Sequence, residues 1–499
     1  MSSTTQKARR RGFALALLSA AQFMVVLDFS IVNIALPSIQ RDLGLSTPDL
    51  QWIVTAYSLT FGGFLLLGGR MSDLYGRRRL LLIGLAVFSL ASLAGGLSPS
   101  GLFLIASRAV QGLGAALVAP TSISLVTTTF AEGPERNKAF GVIGALASAG
   151  FAAGAILGGI LTAGPGWRWV MFVNVPIGIA AFILTPILID ESRAQLKDRR
   201  IDILGAVTVT AGLIALVYGL TQGNVVGWLT LQTLGLIVLA VALLVTFVII
   251  ELRSPFPLVR LGIFRIRTVT GANLVTLIAP GVFGSIVFLL TLYMQKVLGY
   301  SALLTGLAFL PLAGMVLVTS NIASRLVTRL GVKPFLVGGM IVLVIGILLL
   351  TGMSPSGTFV GTLLPGTLVV ALGMGPIFAT MVIAATAGVS NDEQGLASGL
   401  FNTTLQVGSG LCLAIVSAVS TARTASLGAH GGLSALTDGF RYALYVCVGF
   451  AILGIFAALF GIHEHIERTN RDKKTLNPTI ENTETDGPAN EVRKESKYV

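Results

Sequence analysis

The sequence predicts an all-α integral membrane protein of about fourteen spans, and three observations carry that reading. Apolar residues make up 54% of the 499 positions and charged residues only 11%, a balance outside the range of soluble domains. Segments of roughly 20 apolar residues, long enough to cross a hydrocarbon core, recur along the chain. Lys and Arg collect in alternate loops between those segments, as the positive-inside rule requires of short loops.

The first span occupies residues 12–36. Its basic prelude, Lys7 with Arg9, Arg10 and Arg11, resembles that of a signal peptide. The apolar run, however, exceeds the ~7–15 residues of a signal segment and has no small-residue cleavage site, so it is read as a retained span. Further spans are expected near 50–69, 80–97, 102–127, 139–162, 169–189, 203–221, 229–250, 268–294, 302–323, 334–351, 358–387, 397–420 and 440–462.

With the N-terminus inside, 28 of the 34 Lys and Arg fall on the cytosolic side. Five are external (Arg41, Arg168, Lys296, Arg423 and Arg441), and Arg108 alone lies within a span. Both termini are therefore expected in the cytosol. The scatter of positive residues over short loops also accounts for the net charge of +12 without nucleic acid, which would call for one basic surface. Cys412 and Cys447 fall in predicted spans without metal or disulfide spacing and read as packing residues. The polar stretch 463–499 is expected to be disordered, and His463 and His465 to be solvated at the membrane edge.

The chain repeats itself. Arg70 to Gly76, between spans two and three, has the spacing of Arg325 to Gly331, between spans ten and eleven, at an offset of 255. Gly141 and Gly150 are echoed by Gly399 and Gly408 at an offset of 258. Two related six-span halves separated by a two-span insert are implied. Such a repeat suits a carrier whose substrate site lies between halves that rock around it.

Five segments in order give the resemblance its specificity. "GGRMSDLYGRRR", from Gly68, is similar to the loop signature of the major facilitator superfamily. "LDFSIVNIALP" from Leu27, "RAVQGLGAAL" from Arg108, the glycines Gly141, Gly150, Gly154, Gly158 and Gly159, and "GWRWVMFVNVPIG" from Gly166 resemble motifs of its 14-span drug:proton antiporter branch. The likeness covers about 14–462. It implies a fold of two six-helix bundles plus two extra central spans. One position departs from the pattern: the branch usually has proline after the third glycine of span five, where this chain has Ala155.

Each motif also has a physical reading. Asp28 is the one acid placed well inside a span, where an ionised carboxylate costs at least ~2.5–3.5 kcal/mol. It must face a cavity, bind a partner or take up a proton. Arg108 is expected at similar depth, held either by Asp28 or by Gln111 and backbone carbonyls. The span-five glycines, with spacings of four, permit close helix approach and a bendable seal. In the loop beside Arg70, Gly69 and Gly76 permit turns, Asp73 can receive Arg charge or sit at a helix N-terminus, and Arg77, Arg78 and Arg79 hold the inner surface. The resemblance implies that Asp73 latches the two halves in an outward-facing state; Thr328 replaces it in the second copy. Gln22, Asn33, Tyr57, Asn273, Asn321, Asn402 and Gln406 are candidates for a substrate wall, each also able to make a helix-to-helix hydrogen bond.

No catalytic reading survives. The chain has no GxxxxGK[ST] phosphate loop and no His, Cys or acid cluster with metal spacing, so neither an enzyme nor a cofactor is expected. The expected organisation is a cytosolic N-terminus at 1–11, a six-helix bundle at 12–189, a two-span insert with flanking loops at 190–267, a second bundle at 268–462 and the tail at 463–499. The expected activity is proton-coupled efflux of amphipathic or lipophilic compounds by alternating access, with Asp28 and Arg108 as the coupling pair. A monomer in the bacterial inner (plasma) membrane is implied, its partners a small-molecule substrate, protons and the lipid bilayer. Export of a lipid or metabolite with weak or no proton coupling is the alternative.

Overall fold

The computed structural model describes residues 3–130, 134–193, 202–255, 257–258, 261–389, 394–427 and 432–462. The tail, His463 and His465, and much of the linker after residue 193 lie outside these residues. All described regular structure is helical. In chain order the α-helices are α1 Ser3–Leu43, α2 Thr47–Tyr75, α3 Arg77–Gly96, α4 Gly101–Thr129, α5 Pro134–Ala163, α6 Arg168–Phe172, α7 Asn174–Leu188, α8 Ile203–Val226 and α9 Leu231–Arg253. There follow α10 Arg267–Leu292, α11 Ala302–Ala308, α12 Leu310–Leu330, α13 Lys333–Leu350, α14 Leu364–Thr386, α15 Gln394–Ser426 and α16 Gly432–Gly461. Among the described residues 13 helical segments are long and apolar enough to cross a membrane. The 30-residue α5 occupies the place of the remaining expected span.

Two spans are each built from two helices. Span six is α6 and α7, interrupted at Val173, and the span after α10 is α11 and α12, interrupted at Phe309. α1 runs seven residues past the boundary expected at Leu36, because Pro37 is carried inside the helix and the polar turn with Arg41 continues it. Asp28 consequently lies fifteen residues from the end of its helix, ~22 Å at 1.5 Å per residue, deeper than the sequence suggested.

Helix contacts repeat with the period of the sequence. α5 packs on α1 as α15 packs on α10, and α5 meets α11 as α15 meets α2. Small residues make both pairs close. A Cβ at Gly158 would stand 2.8 Å from the Ile31 carbonyl oxygen, and one at Gly408 would overlap the Leu277 carbonyl. The two repeated loops share their backbone as well. Gly76 and Gly331 end α2 and α12 with φ of 111° and 79°, and each N–H donates to the carbonyl four residues back, Ser72 and Val327. Glycine suits both because L side chains disfavour that region.

Call the face where α1 begins proximal and the other distal. On the distal side one apolar cluster joins Ile31, Ile34, Ile39, Leu50 and Trp167 of α1–α6 to Val282, Leu289 and Met294 around α10. There Gln295 Nε2 donates to the Ile34 carbonyl oxygen at 2.9 Å. On the proximal side Ala14, Leu18, Phe61, Leu81, Val126 and Ile189 form a cluster drawn from α1–α7 and their flanks alone. The halves therefore interlock distally. Along their side the seam of α2 and α15 continues: Leu59 lies against Gly410, Gly62 against Gln406 and Leu66 against Gly399.

α8 lies over that seam. Leu213 and Val217 share a cluster with Leu59 of α2 and Ala414 of α15, and Trp52 meets Tyr218 with ring centroids 6.1 Å apart. α9 packs on α8 and turns Leu231, Val238, Val245 and Leu252 outward.

Gly408→Leu forces a branched side chain into the Leu277 backbone. Overpacking of this kind costs about 1–3 kcal/mol, so the thermal midpoint of the detergent-solubilised protein should fall by several degrees. Gly284, whose Cβ position is open, should accept Leu with little change.

Candidate functional site

Apolar helix faces bring α2, α3, α4 and α7 together around Asp28 of α1, where they contribute Tyr57, Ser92, Arg108 with Gln111, and Asn174. Asp28 and Arg108 are 0% and 1% exposed. An Arg108 terminal nitrogen donates to Asp28 Oδ2 at 2.5 Å and to Gln111 Oε1 at 2.6 Å, and its Nε donates to the Ile53 carbonyl oxygen at 3.0 Å. Gln111 Nε2 and Asn174 Nδ2 each donate to Asp28 Oδ1 at 2.8 Å. Both amides also donate to Ser92 Oγ, at 3.2 and 3.1 Å, and the Ser92 hydroxyl donates to the Met171 carbonyl oxygen. The Arg108 guanidinium carbon lies 4.3 Å from the Tyr57 ring centre, and the Tyr57 hydroxyl points to the Val25 carbonyl.

This arrangement resolves a buried charge by supplying donors to it. Asp28 receives three, and Arg108 gains a carboxylate, an amide oxygen, a carbonyl and an aromatic face. Of the partners left open for Arg108 by the sequence, the structure uses all. Tyr57, expected at the substrate wall, is instead fully buried beneath Arg108. Nothing in the sequence pattern singled out Ser92. Asn174 lies inside the segment from Gly166 to Gly178 that resembles an antiporter motif, and a polar amide at span depth was the available signal.

At the proximal loop Arg77 donates to Asp73 Oδ1 through Nε and a terminal nitrogen, at 3.0 and 2.7 Å. Asp73 thus pairs within its own half, not across to the other, in this conformation. Glu191, unmarked in the sequence reading, holds the loop: its carboxylate accepts the backbone N–H groups of Arg78 and Arg79, the free donors at the start of α3. A Cβ at Gly76 would collide with that carboxylate at 2.8 Å. Nearby Arg10 pairs with Asp190 at 2.7 Å. Gly69, expected at a turn, instead continues α2, with Pro120 3.6 Å from its Cβ position, and Arg70 is in the second-last turn of that helix.

The span-five glycines use two faces, not one. Gly150, Gly154 and Gly158 lie against Phe23, Ser30 and Ile31 of α1, whereas Gly159 lies against Ala302 and Leu303, by α11 of the other half. Ala155 belongs to the second face, its carbonyl packed on Gly306. Gly141 lies in α5, in a part whose side chains are outside the described residues.

The remaining wall candidates are dispersed. Asn33, Asn273, Asn321 and Asn402 donate to the carbonyls of Phe29, Val269, Leu317 and Ser398, four residues back on their own helices, where helix-to-helix bonds were expected. At these four positions the preceding carbonyl is within reach of the short amide, and it satisfies the donor without a neighbouring helix. Gln22 does cross, to the Ala119 carbonyl at 3.3 Å. Gln406 lies at the α2–α15 seam, its buried Oε1 without a partner among the described residues.

A family profile described as Major Facilitator Superfamily matches residues 18–413. The puromycin resistance protein pur8 of Streptomyces alboniger is 41% identical over 449 residues, 89% of each chain. The cephamycin export protein CmcT of Amycolatopsis lactamdurans is 38% identical over 86% of this chain and 90% of that one. Among solved structures, an auto-inhibited POT family peptide transporter superposes with a TM-score of 0.66 at 15% identity, over 92% of this chain and 98% of that one; this likeness concerns the fold.

Arg108→Met leaves Asp28 buried without its cation and should destabilise the protein by roughly 3–5 kcal/mol, read as a large drop in thermal midpoint. Adding Asp28→Leu should restore most of it. Additive losses in the double variant would show that the two side chains are not energetically coupled.

Proposed function

Because this chain belongs to the major facilitator superfamily, a multi-pass membrane transporter family and not an enzyme, we propose that it exports amphipathic compounds in exchange for protons. The single observation carrying this reading is the fully buried Asp28–Arg108 network. Its ionised form ties α1 to α4 and α7 and, through Ser92, to α3. A proton added to a carboxylate oxygen cancels the charge that holds Arg108, and the pair loosens; a cationic or dipolar substrate nearby favours return of the proton. Proton and cargo thus compete for one electrostatic site. The names of the relatives, a puromycin resistance protein and a cephamycin export protein, support antibiotics as the cargo class.

The two bundles at 12–189 and 268–462 act as the rocking halves, with 190–267 as the insert and both termini in the cytosol of an inner membrane. The distal interlock is then the closed outer side, and the state described here loads from the cytosol. α5 serves as the hinge, since its glycines Gly150, Gly154 and Gly158 let it slide on α1 while Gly159 and Ala155 bear on α11. Asp73, with Gly69, Arg70, Gly76 and Arg77, forms the latch that engages the other half when the proximal side closes. Gln22, Asn33, Asn273, Asn402 and Gln406 supply polar points on the path, Gln406 with an unused acceptor at the seam. The protein works as a monomer without a cofactor.

A second reading, export of a lipid or metabolite without obligatory protons, draws on Ala155, whose backbone N–H a proline would lack.

Reconstituted in vesicles with an internal pH dye, the wild type should release protons on addition of puromycin, and Asp28→Asn should abolish that release. Equal release from the variant would reject the assignment. Transport that continues after the pH gradient is collapsed would favour the second reading.

A further inference from the structure

We infer that Asn174 is the switch that lets Asp28 hold a proton. The inference rests on the proton-coupled reading above, and it concerns a positioning residue, since Asn174 acts through Asp28.

The argument is an inventory of donors and acceptors. Arg108, Gln111 and Asn174 all present donors to Asp28. That set suits a carboxylate, which only accepts. A neutral carboxyl carries an O–H that needs an acceptor, and burial without one is costly. The acceptors nearby are already committed. Gln111 Oε1 receives Arg108, and Ser92 Oγ receives two amides while its hydroxyl donates to the Met171 carbonyl. Asn174 Oδ1 is different: it is buried, its residue is 0% exposed, and it has no hydrogen-bond partner among the described residues.

A half-turn of the Asn174 amide exchanges the donor aimed at Asp28 Oδ1 for that unused acceptor. The Asp28 O–H then donates to Asn174 Oδ1, and Arg108 keeps its bonds to Gln111 and the Ile53 carbonyl. The turn gives up the Asn174 bond to Ser92 Oγ, which keeps its bond from Gln111, whereas Gln111 or Ser92 could make the exchange only by giving up Arg108 or the Met171 carbonyl. The position favours motion of this kind, for Asn174 begins α7 at the break after Val173, and Gly178, one turn on, packs against Ser89 of α3. The charged and titratable groups that meet Asp28 among the described residues are Arg108 of α4 and Tyr57 of α2. α3 contributes Ser92, α6 the Met171 carbonyl, and α7 only Asn174.

The test reads Asp28 itself. The full-length protein in liposomes is titrated while the carboxylic C=O band in the infrared is followed, Asp28 being assigned by the band lost in Asp28→Asn. Asn174→Leu removes one of three donors from the ionised form but, from the neutral form, the one unpartnered side-chain acceptor in the set of described residues. Its midpoint should therefore move to lower pH by about one unit, a tenfold loss of proton affinity. Asn174→Ala should move the same way by less, as water enters the vacated space; whichever variant reconstitutes decides. An unmoved midpoint, or one moved to higher pH, overturns the switch while leaving the proton site intact. Absence of any band that depends on Asp28 overturns the proton-coupled reading and this inference with it.

Discussion

A carboxylate at hydrocarbon depth constrains everything packed around it. Asp28 survives there because Arg108, Gln111 and Asn174 converge on it, and those residues come from α4 and α7. Each must arrive with its helix at a fixed depth and rotation, so the charge acts as a locating pin for the first half. The surrounding apolar contacts could slide by a turn at modest cost; the polar set cannot, because every member would lose a partner. The ion pair is better understood as fixing one geometry than as a large net source of stability.

The second constraint is backbone approach. α5 and α15 each use glycine to bring a helix axis close to its neighbour, on α1 and α10 respectively, and again across the junction between halves at Gly159 and Gly410. Contacts made by backbone and small side chains interlock little, so two helices can shift past one another without rotamer changes. Bulky knobs would oppose such movement. The twofold echo in the contacts gives both halves the same freedom, while the polar centre belongs to the first half alone.

Much of this was legible in the chain. Hydrocarbon-length segments located the spans, because a membrane leaves a transporter few lengths to choose from, and the glycine of each repeated loop announced a backbone turn that the two junctions share. The Asp28–Arg108 pairing was foreshadowed by depth and charge. Less visible was what completes it: Ser92 and Asn174 are ordinary polar residues until the fold brings α3 and α7 against α1, and one-dimensional spacing carries no such information. Tyr57 was ambiguous for a related reason, since an aromatic with a hydroxyl suits a ligand wall and a buried cation equally. Glu191 escaped notice because its partners are backbone N–H groups, which have no residue identity to match. The short amides expected to bridge helices turned back on their own carbonyls, the nearer choice in a medium without water.

The hairpin of α8 and α9 leaves a different consequence. α8 touches α2 and α15 together, and α9 is only 11% buried over its most apolar window. If the halves rock, this pair cannot ride rigidly with both, and it must tilt or creep sideways against the surrounding acyl chains. Each turnover then includes a small deformation of the membrane. Bilayer thickness, chain saturation and lateral tension would thereby act on the rate of export without touching the cargo, giving the lipid matrix a mechanical hand in how fast the carrier works.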